Sequence, residues 1–491
     1  MGCCNRRCGL IAGAVIGAAT ALLGGILIPV GNGLIKDTVL QKAVIAPGTP
    51  AYENWLSPGG AVYRQFWFFD VQNAREVIEK GVAPVVVEKG PYTYLTRYLP
   101  KAHITFNPND TVSYLLPQGA VFEPSLSAGP EQDNVTSLNL AVAGAYSMIP
   151  KGLHPLLETM IKGSKSSLFQ HRSVRELLWG YKDPMLKSTV GLFAPYNGTF
   201  DGYYNIYSGK GDISQVGMID KWRGSRSLSF WDDKYCNMIN GTDGSNFAPF
   251  VDATKPLFFF SSDICRSVSA SCERSTVLKE IPVYRFALLA STLASPADNP
   301  DNHCYCRDPK TTKNCTIAGV LDISSCQDGQ SGRSGEFSFA RFSSVRFFFA
   351  GQPIYISLPH FLYGSPSLQE AIRGLDPNEE HHKTYLDVEP ITGITLGFAK
   401  RIQVNMMYGP SNVITVLKKV NESTIFPLVW MNETAELDDE SAGLLKVELV
   451  DRIKMLDVVQ KVLLGSGLAV FALCLLLYTA VRCSDDKSQS V

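Results

Sequence analysis

ITGITLGFAKRIQVNMM (residues 391–407) holds one apolar parity throughout, with Ile394, Leu396 and Phe398 followed by Ile402, Val404 and Met406. Successive side chains of a strand leave the backbone on opposite sides, so this period of two marks a half-buried β-structure. The run accommodates either an antiparallel strand pair or one long bent strand. TVSYLLPQGAVFEPSLS (111–127) and SNVITVLKKV (411–420) read as shorter strands, and 41 Gly and 28 Pro supply turns between many such elements. The expected fold is a β-rich α+β fold built as one large antiparallel, β-barrel-like domain.

Helices are fewer. In PKGLHPLLETMIKG (150–163), Leu153, Leu156, Leu157, Met160 and Ile161 form one apolar stripe at helical spacing. In SVRELLWG (173–180), Ser173 and Glu176 have the spacing of a capping box. Lys162, Lys165, His171 and Arg172 lie between the two. This connector suits either a plain helical cap with solvated lysines or a docking surface for anionic lipid.

Towards the ends the pattern changes. From Cys8 to Ile35 there is no charged side chain, enough helix to cross about 30 Å of hydrocarbon and longer than the roughly 7–15 apolar residues of a cleaved signal. Residues 462–481 form a second uncharged run. Arg6 and Arg7 before the first and Arg482 after the second place both tails in the cytosol by the positive-inside bias. The expected organisation is a cytoplasmic tail (1–7), a span (8–30), an extracellular domain (31–461), a span (462–481) and a cytoplasmic tail (482–491).

The intervening loop carries every N-x-[ST] sequon: Asn109, Asn134, Asn197, Asn240, Asn314, Asn421 and Asn432. It also holds seven of the 12 cysteines: Cys236, Cys265, Cys272, Cys304, Cys306, Cys315 and Cys326. An oxidising lumen would pair six and leave one, in a pattern that spacing leaves open. Zinc is the competing reading for CYC (304–306) with Cys315 and Cys326, although the C-x-x-C knuckle is missing.

A net charge of −1 gives no global field to steer an anionic partner, and no nucleic acid is expected. The sequence has no G-x-S-x-G, H-E-x-x-H, Walker or dinucleotide motif, so no enzyme, metal or cofactor is expected. NEEHHKTYLDVEP (378–390) gathers acids and histidines, and reads best as a solvated loop.

The blocks YRQFWFFDVQN (63–73), KGPYTY (89–94), RELLWGYKDP (175–184), FFSSDICRS (259–267), NPDNHCYC (299–306), PIYISLPHFLYGSP (353–366) and YLDVEPITG (385–393) resemble, in order, the class B scavenger receptor family. The resemblance implies two transmembrane helices, a glycosylated ectodomain with an apolar tunnel, and an apical helical bundle. It further implies disulfides Cys236–Cys304, Cys265–Cys326 and Cys306–Cys315, with Cys272 left over. Palmitoylation carries over to Cys3 and Cys8, with Cys4 and Cys483 as added candidates. Where a member of the family has an apical-loop lysine implicated in anionic lipid binding, this chain has Gly163, so Lys162, Lys165 and Arg172 become the expected ligand-binding cations. Residues 331–351 interrupt the resemblance, and their ending FFFAG is what an unspliced pyrimidine tract and AG acceptor would encode.

The implied function is a plasma-membrane scavenger receptor and lipid transporter, passing also through Golgi and endosomes. Its partners would be long-chain fatty acids, oxidised lipoproteins and phospholipids, membrane lipids, thrombospondin, and cytosolic kinases at the tails. Two alternatives are an adhesion receptor for thrombospondin-type matrix proteins, using the surface around 91–143, and a lysosomal membrane glycoprotein. The tail RCSDDKSQSV (482–491) lacks the leucines of a lysosomal sorting signal.

Overall fold

The run 391–407 forms one strand, Thr395–Tyr408, rather than two. It belongs to a computed structural model that describes residues 6–57, 60–194, 196–306, 315–326 and 353–488. Cys3, Cys4, Asn314 and the segment 331–351 lie outside the described residues. The chain divides into two compact units: Ala43–Leu278 with Pro282–Asp438, and Met1–Lys42 with Lys279–Ile281 and Asp439–Val491.

The larger unit is built on an eleven-stranded sheet. Its strands follow in the order Leu257–Ser261, Arg266–Leu278, Ile281–Leu288, Tyr385–Val388, Thr395–Tyr408, Thr424–Glu436, Val62–Val71, Val86–Thr96 and Ala120–Phe122. Ile354–Ser357 also pairs with Thr395–Tyr408, and Leu321–Asp322 with Ile354–Ser357. Among the described residues the two end strands do not pair with each other, so the sheet is open and the expected barrel does not close. A four-stranded sheet, Ile219–Trp222, Phe200–Tyr207, Thr111–Pro117 and Ala102–Phe106, carries Tyr114, which stacks on Tyr204 and meets Trp55 edge-on, and two two-stranded sheets pair Asn134–Leu138 with Phe169–Ser173 and Tyr181–Lys182 with Thr189–Val190.

Alternation in 391–407 does not mean a solvated face along the whole strand. Gln403 and Asn405 are fully buried. They are satisfied by each other, by Ser357 Oγ, by the Tyr355 carbonyl and by the His360 N–H, as buried amides must be. Residues 411–420 form no strand. Thr415–Leu417 is a 3₁₀ turn, in which Ile414 and Leu417 are buried three apart and the Glu158 carboxylate accepts from the Thr415 N–H.

The helix His154–Ser164 buries Leu157 and Ile161 of the expected stripe, with Met160 packed against the core, but His154 and Glu158 also face inward while Leu153 and Leu156 are exposed. Glu158 takes the inward position because it holds Thr415, 257 residues away. Ser173 and Glu176 form the capping box at the start of Val174–Trp179.

Disulfides join Cys236 to Cys304, Cys265 to Cys326 and Cys306 to Cys315, so zinc has no free sulfur among them. Cys272 is left half-buried against the cluster of Phe247, Ala270, Phe286, Leu386 and Val388.

In the smaller unit, Arg6–Lys42 and Arg452–Ser488 are two long helices. Each contains a stretch long and apolar enough to cross a membrane. They approach at glycines. A Cβ on Gly17 would lie 2.6 Å from the Phe471 nitrogen, and one on Gly467 would lie 2.3 Å from the Ala21 nitrogen. Small residues let backbones meet where lipid offers no hydrophobic drive. Gln460 is buried in this pair and donates to the Leu27 carbonyl.

Candidate functional site

The parity that defines Thr395–Tyr408 also places a charge where the pattern calls for an apolar group. Lys400 follows Leu396 and Phe398 on the same face. Across the sheet Lys400 is opposite Glu433, and Glu433 is opposite Arg64, so three charged residues form one row. The next row is Ile402, Met431 and Phe66, and on the other side Phe398 faces Ala435. A charged row thus lies between apolar rows.

Glu433 is 1% exposed and Arg64 4%. Arg64 Nε donates to Glu433 at 2.9 Å, Arg97 reaches its other oxygen at 3.1 Å, and Lys400 lies at 3.5 Å. Lys400 also pairs with Asp263. Burial alone would push the Glu433 carboxyl up, but Arg64, Arg97 and Lys400 outweigh it and hold the group well below the usual carboxylate range. Asp263 is likewise held down, burial being overcome by Lys400 and Arg64.

Lys400 and Glu433 of this row form part of the wall of a cavity of about 180 Å³. Phe259, Phe260, Leu386, Leu396 and Phe398 give it apolar surface, and Arg97, Lys101 and Lys400 bring cations to it. Lys101 donates to the Trp55 carbonyl at 2.5 Å and lies 5.0 Å above the Trp55 ring. Burial lowers its ammonium to about 8, against the opposing pull of Asp243. The carboxylates on the wall are engaged: Asp243 accepts from Tyr114 and Ser245, and Asp201 from Tyr204 and Ser262. Arg97 and Lys400 are held by Glu433 and Asp263, so the cavity offers apolar surface next to one cation, Lys101, whose ammonium donates to a carbonyl rather than to a carboxylate.

The expected ligand-binding cations lie elsewhere. Lys162 is 68% exposed and pairs with Glu158 at 2.9 Å. Lys165 is exposed at the left-handed end of the helix His154–Ser164. Arg172 is engaged within the fold, 4.1 Å over the Tyr181 ring and 3.4 Å from Glu176. Of the sequons, Asn109, Asn134, Asn197 and Asn421 are exposed, whereas Asn240 and Asn432 are half-buried. Cys8 and Cys483 are exposed.

The segment 378–390 is not a solvated loop throughout. Asp387 is buried in a two-pronged pair with Arg285, and Glu389 is buried as the cap of the turn at Ile391 and Thr392. His382 is buried with its ring stacked on His360 at 4.5 Å.

Residues 15–478 match the family model described as the CD36 family. The chain belongs to the CD36 family. "Scavenger receptor class B member 1" of Cricetulus griseus is 32% identical over 92% of this chain and 86% of its own length. The protein of the same name from Sus scrofa is 31% identical over 95% and 87%. "Lysosome membrane protein 2" of Homo sapiens is 34% identical over 84% and 82%. Membership of the CD36 family accords with the two terminal apolar helices, and these relatives are receptors and membrane proteins by name.

Proposed function

We propose that this CD36-family chain is a cell-surface scavenger receptor that binds long-chain fatty acids and oxidised lipoproteins and passes lipid towards the membrane, without a catalytic step. The observation that carries this reading is the cavity behind Leu396 and Phe398, with Lys101 and Arg97 at its wall. Each methylene moved from water onto that surface gains about 0.8 kcal/mol, and a carboxylate end meets a cation. At about 180 Å³ the cavity takes one end of an acyl chain, below the roughly 300–1,000 Å³ of sites that enclose a whole small ligand. A tunnel would extend from it.

Ala435 lines the cavity, so Ala435→Trp should fill it. Uptake of a fluorescent long-chain fatty acid by cells expressing the variant should fall several-fold at unchanged surface level. Unchanged uptake would remove the cavity from the mechanism.

An adhesion role is favoured by the outermost strand, Ala120–Phe122, where Val121 and nearby Leu126 are exposed. The cavity-filled variant separates the two readings, because matrix adhesion would survive it. The lysosomal relatives make lysosomal residence a second location to test, by surface biotinylation of the wild type.

A further inference from the structure

The face of the sheet opposite the charged row carries a second site. Arg401 is opposite Asn432, and Asn432 is opposite Gln65; one row further, Trp430 is opposite Trp67. These side chains share one face, being directly paired and two apart along each strand. They border an open groove of about 580 Å³, within the size range of small-ligand sites.

We propose that this groove is a carbohydrate cradle, and that its occupant is the first sugars of the glycan on Asn432. This rests on the reading that the sequon at Asn432 is used. The sequon residue is itself part of the groove wall, half-buried, unlike the exposed Asn109 and Asn421. Nδ2 of Asn432, the atom that carries the sugar, donates one hydrogen to Gln65 Oε1 at 3.2 Å. Glycosylation replaces the other hydrogen by C1 of an N-acetylglucosamine from a lipid-linked donor, the lipid pyrophosphate leaving with the proton. Gln65 thus fixes the direction in which the glycan departs.

The groove has the two surfaces that a sugar needs. Trp67 and Trp430 stack at 4.0 Å with their planes 3° apart, and Trp67 remains partly exposed to take the apolar face of a pyranose. The polar side is Glu88, whose Oε2 accepts from Trp430 Nε1 and from His360 Nε2, both at 2.7 Å. His360 Nδ1 accepts from the Asp376 N–H, which places the ring hydrogen on Nε2 and leaves Glu88 an acceptor for sugar hydroxyls.

The test is a time course of enzymatic deglycosylation on the folded full chain in detergent, with occupancy at each sequon read by glycopeptide mass spectrometry. The cradle predicts that the Asn432 glycan is removed about tenfold more slowly than those on Asn109 and Asn421, equivalent to about 1.4 kcal/mol. It also predicts that Trp67→Leu abolishes the difference. An unoccupied Asn432 would overturn the sequon reading and the cradle with it. An occupied Asn432 cleaved as fast as Asn109, or slow cleavage that Trp67→Leu leaves unchanged, would overturn the cradle alone. The wild-type comparison needs no variant and decides the case even where Trp67→Leu does not fold.

Discussion

Replacing Glu433 by Gln keeps the volume and removes one charge from the row it shares with Arg64 and Lys400. Arg64 is 4% exposed and would lose the partner at 2.9 Å, while Arg97 and Lys400 would lose theirs at 3.1 and 3.5 Å. Removing one member of a buried pair costs about 3–5 kcal/mol, because the charge left behind is desolvated without compensation. A unit of about 390 residues melting with about 2.1 cal/mol/K per residue has an entropy near 0.8 kcal/mol/K. A loss of about 4 kcal/mol therefore lowers Tm by about 5 °C. Arg75→Gln, in an exposed pair with Glu79, is the control and should move Tm by about 1 °C or less. The folded Glu433 carboxyl titrates below its unfolded value near 4.3, so its contribution is complete above that pH and is lost as the pH falls through the folded value. The gap between wild type and Glu433→Gln should accordingly be equal at about pH 7 and about pH 5.5, and should narrow progressively once the pH falls below about 4.3. Differential scanning calorimetry of the purified chain reads all three. A Glu433→Gln protein that melts with the Arg75→Gln control would refute the argument that the row is a buried, coupled charge cluster.

The Lys162→Ala, Lys165→Ala double variant should weaken binding of oxidised lipoprotein, most at low ionic strength, because exposed charges are screened within about 10 Å at 0.1 M salt. Binding indifferent to both lysines and salt would remove that assignment. A Cβ on Gly13 would lie 2.7 Å from Cys474 Sγ, so Gly13→Cys should form an intramolecular disulfide under mild oxidation, detected by peptide mass spectrometry. Burial pushes the Cys272 thiol up from its ordinary value. It should react with maleimide more slowly than a free thiol near neutral pH, and rapid labelling would show that the packing around it is wrong.

Much of the frame was legible because it rests on local pattern. Two long uncharged runs announce two apolar helices, and the parity of 394–406 announces a strand. Lys400 carries a signal of its own, as a lysine on the apolar parity of that strand. What pattern could not supply was the partner. Glu433 sits in the sequon at Asn432 and reads as a surface residue until Arg64, 369 residues earlier, is placed opposite it. Glu158 and His154 join the buried side of their helix, turning Leu153 and Leu156 outward, because a distant Thr415 and the Tyr146 ring receive them. Gln403 and Asn405 fall on the polar parity, and a polar side chain in a strand is silent about whether another strand will satisfy it. The barrel expectation failed for a related reason: alternation specifies faces and says nothing of whether two edges meet.

Lys400 and Arg401 are neighbours in sequence, yet one belongs to the cavity wall and the other to the groove. The two sites are therefore printed on opposite sides of a single ribbon, and their addresses differ by one residue. Inserting or deleting a residue ahead of position 400 would exchange them, turning Arg401 to the cavity and Lys400 to the groove while moving Phe398 and Ile402 onto the face that carries Ala399 and Gln403. Such a strand has almost no freedom to change length. A change of length here disturbs both faces at once, whereas a single substitution reaches only one.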